Sequence, residues 1–341
     1  MRDSIESYLN NHASLIKSFW STGNSEVLDC GTLQDHADYI YVRALLGDKD
    51  WYCESALDKY AAVLIDSAFA GRVGCQEHLL PHISAYALAS LNLLALAGAD
   101  VRGRVLGKVR LDLDLLIDRQ TYLPKWPAKW SHHTWRVSHW IGGIPSILLT
   151  FARHDPNRQI DEALVCKVLE ACDKAILQPN TGLMKAYKSE LLQQCFRVLY
   201  RLRHNPEHGD IGGLVHIHWI NHVLGRNYIA ADKLIDRCME HMQDGPFLES
   251  VPYCLDFDYM QLIRTALEQR PEKESNAITS RVEIFRRDLV SFLGNIPTEG
   301  YSLHKLPGAL ATYHEANLIL NREAEELNIK SVDIIKMAYW L

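Results

Sequence analysis

Six stretches of this chain, opening near Leu33, His78, Arg136, Gly212, Pro252 and Ser302, run from a loop rich in His, Asp, Arg and aromatic residues into an apolar helix. Between them lie stretches whose apolar residues fall on one face. In residues 4–20 these are Ile5, Tyr8, Leu9, Leu15, Ile16 and Phe19; in residues 56–69 they are Leu57, Tyr60, Ala61, Leu64, Ile65 and Ala68. Similar stretches recur near 107–118, 160–176, 228–242 and 279–293. A single apolar stripe at helical period marks a surface helix, whereas helices apolar nearly all round, as in 83–98, 144–152 and 308–320, are buried on most sides. Their alternation predicts an all-α fold, an (α/α)6 toroid of six helical hairpins with inner and outer rings.

Proline placement fits that scheme. Pro81, Pro145, Pro252 and Pro307 each stand just before an apolar run, and proline suits a first helical turn because its missing N–H costs nothing there. In the other two repeats Asp35 is expected to cap its helix and Gly212-Gly213 to form the turn. No Asn-Gly turn flanked by alternating runs suggests a hairpin. The stretch 181–210 breaks the spacing. Its TGLMKAY reads as a loop and KSELLQQCFRVLYRLRH as an extra helix, so 188–210 is expected to be an insertion near the pocket mouth of a single domain spanning 1–341.

With 48% hydrophobic and 23% charged residues the chain can bury a sizeable core. A net charge of -6 without a basic stripe argues against a nucleic-acid partner. No run of 18 apolar residues marks a membrane span. The first residues carry acids early and do not read as a signal peptide, so a cytoplasmic location is expected. The eight cysteines form no CxxC pair and read as small buried hydrophobes in a reducing compartment.

Because the polar loops all precede inner helices, a ring would bring them to one mouth, where helix N-termini present unpaired N–H groups and a positive dipole end. The loops carry Asp35, His36 and Asp38; then Gln76, Glu77, His78 and His82; then Arg136, His139 and Trp140. The fourth repeat has His216, His218, Trp219, Asn221 and His222, the fifth Tyr253, Asp256, Asp258 and Tyr259, and the sixth His304 and Lys305. In WRVSHWIGGIP (135–145), Arg136 offers a bidentate grip on an anion and His139 an acid or base. The glycine pair there lets the backbone approach a neighbour or a ligand.

His216 and His218 are two apart, roughly 200° on a helix, so only one can face a cavity fully. Asp256 and Asp258 have the same spacing, and a carboxylate in an apolar helix is costly unless paired or useful. Zinc is disfavoured. His218 and His222 share a face, but no HExxH frame or third ligand accompanies them, and Pro81 interrupts a helical His78–His82 pair. GxSxG, Walker and GxGxxG-strand signatures are absent, and no cofactor is expected.

TGLMKAY followed by GGLVHIHW is similar to the loop-then-inner-helix arrangement of (α/α)6 toroid proteins, such as unsaturated-glucuronyl hydrolases, N-acylglucosamine epimerase-like enzymes and several polysaccharide lyases. The resemblance is one of architecture, covers most of the chain, and carries no family's catalytic set onto these residues. The DxDD motif of class II terpene cyclases and the Cys-His-Gly signature of LanC-like toroids are missing.

The expectation is an enzyme with a central pocket and metal-free acid–base chemistry, of lyase, hydrolase or isomerase type, on a polar, sugar-like or anionic small molecule. His139, His216, His218, Asp256 and Asp258 are its candidate catalytic residues. Arg136, Trp140, Gln76, His78, Trp219, Tyr253, His304, Asp35 and His36 are its candidate substrate-binding residues. Two other readings remain open. One is a cyclase or tailoring enzyme for an apolar, terpenoid-like metabolite, with aromatic side chains stabilising a cation. The other is a non-catalytic toroid that binds a ligand or a protein partner.

Overall fold

The computed structural model describes residues 1–24, 28, 32–67, 80–108, 134–154, 160–184, 190–200, 206–242 and 245–341. The fold is all-α; among the described residues the only β-type pairings are two isolated bridges, Leu177–Met184 and Ala324–Ile329. In chain order the α-helices are α1 (Arg2–His12), α2 (Ser14–Thr22), α3 (Leu33–Leu45), α4 (Glu54–Ser67) and α5 (Leu80–Leu96). There follow α6 (Thr134–His154), α7 (Glu162–Ile176), α8 (Glu190–Tyr200), α9 (Pro206–Val223) and α10 (Ala231–His241). The last four are α11 (Cys254–Gln269), α12 (Asn276–Gly294), α13 (Lys305–Ile319) and α14 (Ile334–Ala338).

The six apolar runs are α3, α5, α6, α9, α11 and α13. Each packs against the next, and α13 packs back against α3. Burial follows their composition: every residue from Leu255 to Ala266 in α11 and from Leu306 to Asn317 in α13 is buried. The more polar helices behave as surface helices do. In α10 only Ala231, Leu234, Ile235 and Cys238 are buried, a one-sided set facing α11. The expected outer stretch 4–20 is divided at Ala13, whose φ of -134° separates α1 from α2.

Three of the expected helix starts differ. WRVSHWIGGIP is not a loop but lies in α6, which begins at Thr134, so Pro145 stands inside the helix. An interior proline removes one backbone hydrogen bond, and Gly142 before it serves a close approach. A Cβ on Gly142 would lie 2.6 Å from the carbonyl oxygen of His216 in α9. Gly212 and Gly213 likewise sit within α9, whose first residue is Pro206. Asp35 lies in the first turn of α3, and its side chain does not cap the helix. Within the expected insertion, 190–200 forms α8 and 206–210 opens α9. An ion pair from buried Arg197 to Asp210 joins the two helices, while Leu191, Val198 and Leu199 of α8 are exposed.

After α13 the chain turns back through the Ala324–Ile329 bridge and enters between α5 and α9 as α14. Asp333 caps α14, its Oδ1 accepting from the Lys336 N–H at 3.1 Å. Its Oδ2 accepts from Arg264 Nη2 at 2.7 Å and lies 2.7 Å from His222 Nε2. Arg264 also pairs with buried Glu315 and with Glu268. Burial alone would raise the Asp333 carboxyl, but the His222 hydrogen bond and the Arg264 charge hold it well below the usual range.

From Ala338 onward the backbone carbonyls are received by α3, α5 and α6. Asn92 Nδ2 in α5 donates to Ala338 O at 2.8 Å, Ser146 Oγ in α6 to Tyr339 O at 3.0 Å, and Tyr41 OH in α3 to Trp340 O. Tyr339 takes a left-handed conformation, φ +71°, that glycine usually fills. The Arg153 guanidinium lies 5.0 Å over its ring. Trp340 is fully buried. Residues 334–341 thus pack against α3, α5, α6 and α9.

Candidate functional site

One small cavity remains beside this segment, about 130 Å³ in volume. Helix α5 contributes His82 and Tyr86 to its lining, and α9 contributes His216 and Trp219. The start of α11 supplies Cys254, and the approach to α13 supplies His304, Pro307 and Gly308. Leu341 completes the lining. The first turns of α11 and α13 meet backbone to backbone here: a Cβ on Gly308 would lie 2.4 Å from the Cys254 nitrogen.

At the cavity, Asp38 of α3 organises a hydrogen-bonded group. Its Oδ1 accepts from Tyr86 OH at 2.6 Å and lies 3.0 Å from His304 Nδ1. Its Oδ2 is buried and makes no hydrogen bond. Burial and the Asp38 charge push the Tyr86 phenol well above its usual range, so Tyr86 is a neutral donor. Burial works to lower the His304 imidazole. The hydrogen bond to Asp38 and the charges of Asp38 and Asp35 outweigh it, and its pKa lies above the ordinary value. The His304 side chain is 44% exposed and Asp38 wholly buried, so the pair runs from solvent into the wall.

The opposite wall is aromatic. His216 stacks on Trp340 with ring centres 4.8 Å apart and planes 17° apart, and Trp219 meets Trp340 edge-on at 5.1 Å. Trp340 Nε1 donates to His82 Nδ1 at 3.2 Å, which assigns the His82 ring proton to Nε2. Burial and the neighbouring His82 hold His216 far below its ordinary pKa, so it is neutral at pH 7.

Of the residues singled out from sequence, His216, Trp219 and His304 line this cavity together. His218 does not. It stacks on Tyr228 at 3.9 Å, and burial lowers its pKa to about 3. His36 packs among Phe19, Trp20 and Tyr60, with its pKa lowered by burial to about 4. Asp35 is exposed at the start of α3. Tyr253 and Asp256 form a capping box at the start of α11, Asp256 accepting from the backbone N–H groups of Leu248 at 2.9 Å and Tyr253 at 3.0 Å. Burial pushes the Asp256 carboxyl up to about 7 against those donors. Asp258 is buried, with no hydrogen bond to either oxygen. The side chains of Arg136, His139 and Trp140, on the first turns of α6, lie outside the described part, as do Gln76 and His78.

Tyr86, Cys254, Trp340 and Leu341 carried no sequence signal for the site, and Asp38 and His82 were present in the loops without an assigned role. Their signal was positional: His82 and Tyr86 are four apart on α5 and share a face. A larger cavity of about 210 Å³, lined in part by His208, His241, Phe247 and Phe285, offers two imidazoles and, among the described residues, no carboxylate. Among the described residues, no three His, Cys, Asp or Glu side chains converge as a metal ion requires. No described helix is long and apolar enough to cross a membrane. Comparison of the chain with family models, with curated proteins and with solved structures returns no match.

Proposed function

We propose that the chain is an (α/α)6 toroid enzyme that moves a proton to or from a small polar molecule bound at the inner-helix N-terminal mouth. Support for the toroid is the unbroken series of contacts from α3 through α5, α6, α9, α11 and α13 back to α3, with more polar helices packed outside them. The observation that carries the chemistry is the His304–Asp38 pair, 3.0 Å apart at a cavity edge, with Tyr86 donating to the same carboxylate oxygen. A carboxylate on one ring nitrogen orients the imidazole and stabilises its protonated form, leaving Nε2 to exchange a proton with substrate.

Volume narrows the substrate. An engineered cavity of about 150 Å³ holds one benzene, so a cavity of about 130 Å³ takes a molecule or substituent of similar size. A short carboxylic or hydroxy acid fits that space; a terpenoid skeleton does not. A pure ligand-binding protein would use the same residues, and kinetics separate the two readings.

The test begins with thermal shifts on small carboxylates, hydroxy acids and uronides, followed by product detection on each stabilising compound. Conversion by the wild type, with His304→Gln losing on the order of 10²-fold or more in kcat while binding the compound within a few-fold, is the expected result. Binding without conversion by the wild type would make the protein a receptor and end the enzymatic reading.

A further inference from the structure

In a ring of helices the central space would ordinarily be bounded by the ring itself. Here residues 338–341 take hydrogen bonds from α3, α5 and α6, stack on α9, and bring Leu341 into the cavity shared by α11 and α13. All six ring helices therefore face the same short segment. We propose that Leu341, carried on Trp340 as its anchor, is the specificity-determining residue of the cavity, fixing how long a ligand the site accepts. The proposal rests on the reading of the cavity as a substrate site.

Two features support it. His82 and Tyr86 of α5, His216 of α9 and His304 give the cavity its polar groups, and Leu341 shares its lining with the apolar groups Pro307, Gly308 and Trp219. A ligand with a polar head at His304 would leave its apolar end to these groups, Leu341 among them. Trp340 is immobilised by its bond to His82 on α5 and, on α9, by its stack on His216 and its edge contact with Trp219, so Leu341 cannot withdraw without disturbing both helices. The ligand class this predicts is a short-chain acid, with the side chain at 341 setting the limit on chain length.

The experiment measures the affinities of unbranched carboxylates of increasing length for the wild type, Leu341→Ala and Leu15→Ala, a control on exposed α2. Each methylene that enters an apolar space gains roughly four-fold in affinity. In the wild type the gain should stop where the chain reaches Leu341. In Leu341→Ala it should continue for about two further methylenes, the span of the removed side chain, and the control should match the wild type. Leu341→Val, a smaller trim, carries the test should the alanine variant fail to fold, with an extension of about one methylene.

Crystals of the same proteins under xenon supply a readout independent of the ligand, since xenon enters apolar cavities. Higher xenon occupancy beside Pro307 and Gly308 in the trimmed variant is expected. Equal length limits and equal xenon occupancy in wild type and variant would overturn the proposal. A xenon gain with no acid bound by any of the proteins would uphold Leu341 as the cavity's boundary while removing the acid-binding reading on which its role in specificity rests.

Discussion

Asp258 sits in α11 with both carboxyl oxygens buried and neither hydrogen-bonded. Burial, together with the nearby Asp256 charge, raises its pKa well above the ordinary carboxyl value. A folded-state pKa above the unfolded one favours the fold only below the unfolded pKa, near 4, and counts against it as pH rises from there. Asp258→Asn is therefore expected to raise the melting temperature at pH 7 by a few degrees and to change little at pH 4. A lower melting temperature at pH 7 would mean that the ionised carboxylate has a stabilising role. If the variant gains stability and loses turnover, Asp258 belongs to the small class of residues a fold retains for function. Its neighbour shows why single residues were only partly legible. A capping box is normally recognised by a Ser or Thr three residues before the acid; with Tyr253 in that place, Asp256 read as a buried charge in need of a task. The two-residue spacing of His216 and His218 was more informative, since it separates one imidazole at the cavity from another stacked on Tyr228.

At the scale of elements, the six apolar runs could be read directly, because a helix buried on most sides must be apolar on most sides. All six are helices, and the one-sided stretches at 160–176, 228–242 and 279–293 correspond to α7, α10 and α12. Their boundaries were less legible. Pro145 looks like a start because interior prolines are costly, yet α6 continues through it with Gly142 pressed against His216. Helix α14 was invisible because it has five residues, too few for periodicity to register, and its partners are distant: Tyr41 and Trp340 are 299 positions apart. Its stability rests on Asp333, held by Arg264 and His222. Asp333→Ala is expected to cost about 3–5 kcal/mol, because it removes one partner of a mostly buried ionic group and the helix cap together. Hydrogen exchange should show the amides of 334–341 opening sooner than those of α11 and α13. Uniform loss of protection across all helices would contradict a local role for Asp333.

Across the whole molecule, buried imidazoles set the response to acid. Burial lowers the pKa of His36 and His314 to about 4 and of His218 to about 3. Each of these groups is depressed relative to the unfolded value of 6.5, so its neutral form supports the fold fully above pH 6.5 and that support is lost as pH falls toward the folded value. Together they are expected to remove about 4 kcal/mol for each pH unit between 6.5 and 4. His304, with its raised pKa, works in the opposite sense over a narrower window above 6.5. Asp256 and Asp258, whose raised carboxyl pKa values favour the fold increasingly as pH falls toward 4, offset part of the imidazole loss, so melting temperatures measured between pH 8 and pH 4 should drop below about pH 6.5 less steeply than the imidazoles alone would dictate. His36→Phe, placed among Phe19, Trp20 and Tyr60, should flatten part of that drop. A profile unchanged by His36→Phe would show that its imidazole is not among the groups responsible.

The central placement of residues 334–341 also dictates the order in which the molecule can be made. Asn92 bonds Ala338 across 246 positions, so during synthesis the inner faces of α5 and α9 emerge long before the segment that covers them. Until then those apolar walls are open, and the loop that must close spans 246 positions, a slow step by the usual dependence on contact separation. Docking of residues 334–341 is therefore a late event, and the form that lacks it is the species most exposed to aggregation and chaperone capture.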